Sequence, residues 1–184
     1  MSVTEPIKDV KKIRAMIEAS KETPTRNYCF VLLALHTGLR MKDLLQLKKQ
    51  DVFDSDESRS FLNLSMYPNA PIYLNPQLKE LIERYVSDEK LAHDDYLFQS
   101  KEAKEPISRQ QASRIIKKIA KRHGITGSVN MHTLRKTYAY HAYRNGIAIS
   151  LIQKRLHQRT IMTTKRYIGL DNLNTTEIKV DVRF

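Results

Sequence analysis

Apolar side chains recur along most of the chain at the three-to-four-residue spacing of amphipathic helices. The clearest stripe lies in residues 25–37, where Tyr28, Val31 and Leu35 share one face and Gly38 follows as a helix stop. The same spacing predicts further helices over residues 6–19, 41–48, 76–86, 108–124, 132–145, 149–157 and 160–168. A chain with this many helical segments is expected to fold mainly as α-helices.

Capping residues mark where several of these helices begin. Thr4 is a candidate N-cap for the first helix, and Asn75 followed by Pro76 begins the fourth. Ser108 with Gln111 forms a capping-box pattern at the start of a long basic helix. These signals support the predicted helix boundaries.

The stretch between the third and fourth helices lacks helical periodicity. Apolar residues around Phe61 and Leu64, and again around Ile72 and Leu74, suit two short strands on either side of the turn-prone segment 67–71. The predicted fold class is therefore α+β, mainly α with a small antiparallel β-sheet.

Length and composition exclude several classes of protein. A chain of 184 residues with 41% hydrophobic residues suits one domain with a real core. It contains no apolar run long enough for a membrane span and no apolar signal segment at its start. Its single cysteine, Cys29, excludes an internal disulfide and a cysteine-based zinc cluster, and a reduced, cytoplasmic setting is expected.

Positive charge is concentrated in the second half of the chain. Residues 1–100 carry 14 basic and 15 acidic residues, whereas residues 101–184 carry 18 basic and 5 acidic residues. No acidic residue lies between Glu105 and Asp171. This segregation indicates a polyanionic partner, for which nucleic acid is the obvious choice, although a basic surface that only aids solubility is the alternative.

Two arginines stand in contexts that suit phosphate binding. His132 and Arg135 lie three residues apart at the start of a helix, so they share a face and can clasp one phosphate. Arg40 follows the Gly38 stop, and Asp43, three residues later, is expected to hold the Arg40 guanidinium in place. Alone, each pattern also suits ordinary surface residues.

Tyr167 is a candidate nucleophile. Lys165 and Arg166 precede it directly, and neighbouring positive charge favours the phenolate form of a tyrosine. Most of the nine tyrosines are expected only to pack or to lie on the surface.

In combination and in this order, the segments Thr37-Gly-Leu-Arg40, His132-Thr-Leu-Arg135 and Thr164-x-x-Tyr167 resemble the tyrosine recombinase (phage integrase) family. The resemblance covers nearly all of residues 5–170, and Leu97-Phe98 followed by Pro106-Ile-Ser-Arg109 is similar to small bacterial integrases. It implies a single catalytic domain over 1–170, without the N-terminal DNA-binding domain of many members. Residues 171–184 would then form a tail that packs on a neighbouring protomer or folds back.

The resemblance also implies an activity: site-specific cleavage and rejoining of double-stranded DNA, without metal or ATP. Tyr167 would form a 3′-phosphotyrosine, Arg40 and Arg135 would stabilise the transition state, and His132 would help to take the tyrosine proton. Self-association on DNA as a tetramer is implied as well. The alternatives are a non-catalytic, DNA-binding relative, a type IB topoisomerase-like activity, and an unrelated basic helix-turn-helix regulator.

Two positions depart from the family pattern. Nine residues before the nucleophile the family has His or Trp, but this chain has Gln158, whose amide can still donate a hydrogen bond to phosphate. His157 lies one step earlier, about 100° away if the helix continues, and is either a substitute or a solvated imidazole. The region 61–74 also lacks the family's lysine that protonates the leaving 5′-oxygen, with Lys101 and Lys104 as possible substitutes.

Further DNA contacts are expected from cations on the long basic helix and around the nucleophile. They are Arg109, Arg114, Lys117, Lys118, Lys121, Arg122, Arg159, Lys165 and Arg166.

Overall fold

The computed structural model describes residues 4–54, 57–65, 67, 70–100, 102–122, 125 and 129–170. The predictions for the tail 171–184, for Lys101 and for Gly124 lie outside the described residues. Within the described ranges, no helix has the length and apolar character that a bilayer crossing requires.

Helices make up most of the described chain, and this confirms the predicted fold class. They are α1 (Val10–Lys21), α2 (Thr25–Thr37), α3 (Met41–Leu45), α4 (Lys49–Val52), α5 (Pro76–Asp88), α6 (Arg109–Arg122), α7 (Met131–Arg144), α8 (Ile149–Leu156) and α9 (Ile161–Tyr167). Two predicted caps are confirmed. The Asn75 side chain accepts a hydrogen bond from the Leu78 N–H, and Ser108 and Gln111 bond each other's backbone N–H.

The first helix begins four residues later than predicted. Asp9, not Thr4, is its N-cap, because the Asp9 carboxylate accepts a backbone N–H of the first turn at 2.8 Å. The preceding residues lie against α7 instead. The Ile7 N–H donates to Thr137 Oγ1 at 2.8 Å, and the Ile7 carbonyl bonds the His141 ring at 2.9 Å. The N-terminal segment 4–8 is thereby held on the helix that carries His132 and Arg135.

The predicted helix over 41–48 is shorter in the structure, and a second short helix follows it. Helix α3 ends at Leu45, and the Asp51 carboxylate then accepts the Lys48 N–H at 2.8 Å, which caps the start of α4. The turn keeps Leu47 buried between them. A local cap therefore overrides the continuous apolar pattern.

Two antiparallel hairpins form the β component. Strands β3 (Phe61–Leu62) and β4 (Ile72–Tyr73) pair as predicted, with Leu62 opposite Ile72. Strands β1 (Phe53–Asp54) and β2 (Glu57–Ser58) form a second hairpin that the sequence analysis missed. Two-residue strands are too short to show an alternating pattern.

Helix α2 is the centre of the main core. Its residues from Tyr28 to Leu35 are all buried, and it packs against α1, α5 and α7. A helix buried all round suits a central position. A smaller apolar cluster joins α7 to α8 and α9 through Ala139, Ile152, Leu156, Ile168 and Leu170. The ends of α2, α7, α8 and α9 thus meet at one place.

Candidate active site

A cleft of about 660 Å³ opens where these helix ends meet. All five residues predicted to be catalytic line it: Arg40, His132, Arg135, Gln158 and Tyr167. The residues come from positions up to 127 apart in the chain. Their convergence in one concave site was expected from the resemblance, and it brings the candidate nucleophile Tyr167 together with two arginines.

Arg135 is the structural centre of the site. It is only 5% exposed, and one guanidinium nitrogen donates to the Gly38 carbonyl while the other donates to the Leu156 carbonyl at 2.8 Å. One side chain therefore ties the end of α2 to the end of α8. The two carbonyls offset part of the cost of burying a cation and hold the guanidinium in one orientation.

Gly38 permits this arrangement. It ends α2 with φ of 63°, in the left-handed region, and an added Cβ would lie 2.3 Å from the Tyr138 ring. The tight stop turns the Gly38 carbonyl to Arg135 and leaves Arg40 exposed at the N-cap of α3. Arg40 thus extends into the cleft from a buried support.

Asp43 does not contact Arg40 as the sequence analysis expected. Among the described residues no ion pair joins them; the buried Asp43 carboxylate accepts a 2.7 Å hydrogen bond from the Tyr67 hydroxyl. Tyr67 was read only as part of a turn and is a site residue that the sequence analysis missed. Burial, followed by the bond to Asp43, raises the pKa of Tyr67, although Arg135 lowers it in part.

His157 and Gln158 both line the cleft. They lie beyond the end of α8, so the angular separation of successive residues on a continuing helix does not keep them apart. Helix α8 ends at Leu156, and His157 caps it in the left-handed region with φ of 51°. Its ring packs edge-to-face on Tyr67, with centroids 4.5 Å apart. Burial and then the positive charge of Arg40 lower the pKa of His157, which favours the neutral imidazole.

Tyr167 is the last residue of α9 and is half-buried at the cleft. Burial raises the pKa of Tyr167 overall, while the charge and hydrogen bonding of Arg135 and the charge of Arg40 oppose this rise. The neighbours Lys165 and Arg166, expected to favour the phenolate, are exposed and are not among these causes. The resting group is therefore a hydroxyl that needs a base.

Lys136 contacts the ring of Tyr167, the candidate nucleophile. Its ammonium lies 5.2 Å from the centroid of the Tyr167 ring and donates to the Thr4 carbonyl. No sequence pattern indicates this contact, because Lys136 directly follows Arg135 and has the pattern of an ordinary surface cation. The N-terminal segment and the nucleophile are thus linked through one side chain.

His132 is exposed near the start of α7, where Asn130 caps the helix by accepting the His132 and Thr133 N–H groups. The imidazole therefore stands free at the cleft wall, in a position to exchange protons. Asn130 also lines the cleft and was missed by the sequence analysis, although an asparagine just before an apolar helix was an available signal.

The cations predicted to contact DNA divide into three groups. Of those on α6, Arg109 lines the cleft, whereas Arg114, Lys118 and Arg122 line a separate groove beside the start of α2. Arg122 also pairs with Glu22 at 3.5 Å. Further exposed cations stand elsewhere on the surface: Lys117, Lys121, Arg159, Lys165 and Arg166.

Comparison with known proteins agrees with this geometry. The model of the phage integrase family matches residues 8–173. The chain belongs to this family. The probable integrase/recombinase YoeC of Bacillus subtilis (strain 168) is 31% identical over 175 residues, which cover 95% of this chain and 94% of YoeC. Membership removes the unrelated helix-turn-helix alternative.

Solved structures show the same catalytic-domain fold. The crystal structure of XerA recombinase is 27% identical with a TM-score of 0.75, covering 94% of this chain and 60% of XerA. The XerH site-specific recombinase, solved bound to palindromic difH substrate in a post-cleavage complex, has a TM-score of 0.75 at 17% identity. It covers 93% of this chain and 51% of XerH, and at this identity it shows the fold alone. The domain is a tyrosine recombinase catalytic domain.

Proposed function

We propose that this chain cleaves and rejoins DNA at specific sites, with Tyr167 as the nucleophile. The observation that carries the proposal is the convergence of Arg40, His132, Arg135 and Tyr167 in one cleft. Family membership supports the class of reaction, and it does not favour the non-catalytic or topoisomerase-like alternatives.

The reaction proceeds in two balanced transfers. His132 takes the Tyr167 proton, the tyrosine oxygen attacks a DNA phosphorus, and the bond from phosphorus to the 5′-oxygen breaks, which leaves a 3′-phosphotyrosine. A second 5′-hydroxyl then attacks this intermediate and releases Tyr167. Arg40 and Arg135 stabilise the extra negative charge of the transition state, where fixed cations act most strongly. Because the covalent bond conserves the phosphodiester energy, rejoining needs no ATP, and Arg40 and Arg135 supply the positive charge that the transition state requires.

Double-stranded DNA is the proposed partner. The Gln158 amide and Arg109 reach the cleft and are suited to donate hydrogen bonds to phosphate oxygens beside the reacting one. The exposed cations outside the cleft would extend this contact along the backbone, so binding should weaken steeply with salt. The XerH complex with difH substrate supports DNA as the ligand of this fold.

Self-association on DNA, as a tetramer, completes the proposal. Rejoining exchanged strands needs two cleaved duplexes, and hence several active sites, in one assembly. Residues 171–184 are the segment we assign to contact between protomers. The compartment we propose is the cytoplasm, where chromosomal DNA would supply the substrate.

A covalent-trapping assay tests the nucleophile. The chain is incubated with nicked suicide substrates drawn from its own genomic neighbourhood, then denatured, and a band containing both DNA and protein is sought. The expected result is a band that Tyr167→Phe abolishes. Tyr138→Phe is the matched control, because this tyrosine lies beside Gly38 and outside the cleft lining. Salt-sensitive binding without a band on any substrate would move the assignment to a non-catalytic relative.

A further inference from the structure

The leaving group of the proposed cleavage creates a chemical requirement. When the bond from phosphorus to the 5′-oxygen breaks, the departing alkoxide is strongly basic and needs a proton donor. Neither Arg40 nor Arg135 meets this need, because a guanidinium does not lose its proton in proteins. A different proton-bearing side chain must stand in the cleft.

We propose that Lys42 is the general acid that protonates the leaving 5′-oxygen; this inference rests on the proposed function. Lys42 lines the cleft together with Arg40, Arg135 and Tyr167. It lies two residues after Arg40 in α3, so its amine starts from the same short element that presents a phosphate-binding cation.

The surrounding structure holds the backbone of Lys42 in place but leaves its side-chain ammonium free to move. Helix α3 is held by the buried side chains of Leu44 and Leu45 and by the bond from Tyr67 to Asp43. Lys42 itself is exposed, and within the described residues its ammonium makes no hydrogen bond or ion pair. A lysine with a fixed backbone and an ammonium that is not already bonded suits a group that must reach an atom of a bound substrate.

Other lysines are less suitable donors. Lys136 is committed to the Thr4 carbonyl and to the Tyr167 ring. Lys104, a candidate from the sequence, lies in the turn that follows Phe98 and does not line the cleft, and Lys101 lies outside the described residues. Of the lysines that the structure describes, Lys42 is the one that lines the site.

Neither histidine of the cleft is suited to donate a proton to the leaving 5′-oxygen. His157 is held toward its neutral form by burial and by Arg40 and Arg135, which makes it a poor acid near neutral pH. His132 is the proposed acceptor of the Tyr167 proton, so it cannot supply the leaving-group proton in the same step. Lys42 therefore remains as the donor.

Each proton and electron pair of the cleavage step has a defined destination. Tyr167 oxygen bonds to phosphorus and its proton passes to His132. The electron pair of the broken bond leaves on the 5′-oxygen, which takes a proton from Lys42 Nζ and becomes a 5′-hydroxyl, while Lys42 becomes a neutral amine. In the rejoining step that amine takes the proton of the attacking 5′-hydroxyl, so Lys42 is an ammonium again.

A sulfur-for-oxygen substitution at the leaving atom tests this assignment. A thiolate is a far weaker base than an alkoxide and leaves without protonation, so a 5′-bridging phosphorothiolate substrate removes the need for an acid. Single-turnover formation of the covalent complex is measured on the oxygen and sulfur forms of one nicked suicide substrate. The variants are Lys42→Ala, Lys42→Arg and, as a control from the exposed face of α1, Lys12→Ala.

Lys42→Ala is expected to slow cleavage of the oxygen substrate by about 10²-fold or more and to leave sulfur cleavage within a few fold of wild type. Lys42→Arg keeps the charge but cannot donate its proton, so it should stay slow on oxygen although it retains DNA affinity. Lys12→Ala should match wild type on both substrates.

Three results would overturn the assignment, and they are distinguishable. Equal slowing of Lys42→Ala on both substrates would make Lys42 a phosphate-binding residue. Wild-type rates on oxygen would remove Lys42 from the reaction and leave Tyr167 as the nucleophile. Failure of the wild-type chain to form a Tyr167-dependent band on either substrate would remove the proposed function and this inference with it.

Discussion

Arg40 and Arg135 stand on the core centred on α2, whereas Tyr167, His157 and Gln158 stand on the pair of helices α8 and α9 at its edge. The first region is densely buried, and Arg135 has its backbone partners fixed. The second, called the α8–α9 unit below, rests on a small apolar cluster. It also leaves large apolar side chains exposed, including Leu151 at 56% and Met162 at 57%.

The two regions meet different requirements of the proposed reaction. Cations that stabilise a transition state are most effective when they do not have to reorganise, and the core supplies that rigidity. Tyr167 lies on the less buried unit, which the bond from Arg135 to the Leu156 carbonyl and the ammonium of Lys136 at the Tyr167 ring tie to the rest of the site. Substitutions at these two links should therefore show how far the regions act as one site.

Arg135→Lys should have the largest effect, because an ammonium cannot hold the Gly38 and Leu156 carbonyls in the planar geometry of a guanidinium. Cleavage should fall by about 10²–10³-fold, as expected for loss of one transition-state donor. The free energy of unfolding should fall by about 1–3 kcal/mol, because a buried carbonyl loses its partner. Single-turnover trapping and urea denaturation measure the two effects.

The control for this change is Arg14→Lys on the exposed face of α1, which should alter neither quantity. Near-normal cleavage by Arg135→Lys would mean that positive charge alone is sufficient and that the link between the regions is unimportant to the reaction.

The sequence predicted most of the helices and seven of the thirteen described residues that line the cleft, because these depend on short-range patterns. Apolar stripes and caps locate α2, α5 and α6, and the spacing of His132 and Arg135 places both at the start of α7. The family resemblance then supplied Arg40 and Tyr167. Each of these signals lies within a few consecutive residues.

What the sequence analysis missed depends on contacts between distant segments. The Tyr67 hydroxyl reaches Asp43 from a segment that contains only turn signals, and the Lys136 ammonium reaches Tyr167 across two helices. Neither partner can be identified without the tertiary structure. The expected Arg40–Asp43 contact illustrates the same point, because a short sequence spacing suggested a pair where a distant tyrosine supplies the actual partner.

Lys136→Met should have a smaller effect that is confined to the reaction. The substitution keeps an apolar stem but removes the ammonium from the Tyr167 ring and from the Thr4 carbonyl. Loss of a cation–π contact predicts cleavage slowed about 2- to 30-fold, with little change in stability. Lys49→Met is the matched control, since the Lys49 ammonium lies 5.6 Å from the ring centroid of Phe53 and donates to the Leu91 carbonyl, outside the cleft lining. Equal rates in the two variants would show that the N-terminal segment does not help to position Tyr167.

The smallest expected effect concerns His157, where the α8–α9 unit contacts Tyr67. His157→Gly and His157→Ala both remove the ring, but only alanine keeps a Cβ in the left-handed region. Strain there costs about 1–2 kcal/mol, partly offset by the extra unfolded-state freedom of glycine, so the glycine variant should be more stable by up to about 1 kcal/mol. Thermal denaturation at pH 7 measures the difference in stability. Equal stability of the two variants would show that a Cβ at position 157 causes no backbone strain.

The same two variants test in which direction pH changes the stability of the folded protein through His157. Because the folded state lowers the pKa of His157, the unfolded chain binds a proton more readily once the pH falls through the ordinary value of 6.5. Wild-type stability contributed by this group is therefore present above that pH and declines on acidification toward the lowered folded pKa. Both variants lack the titration, so their Tm should fall less than that of wild type between pH 7 and pH 5. An equal fall would mean that neither burial nor the charges of Arg40 and Arg135 lower the pKa of His157 in the folded state.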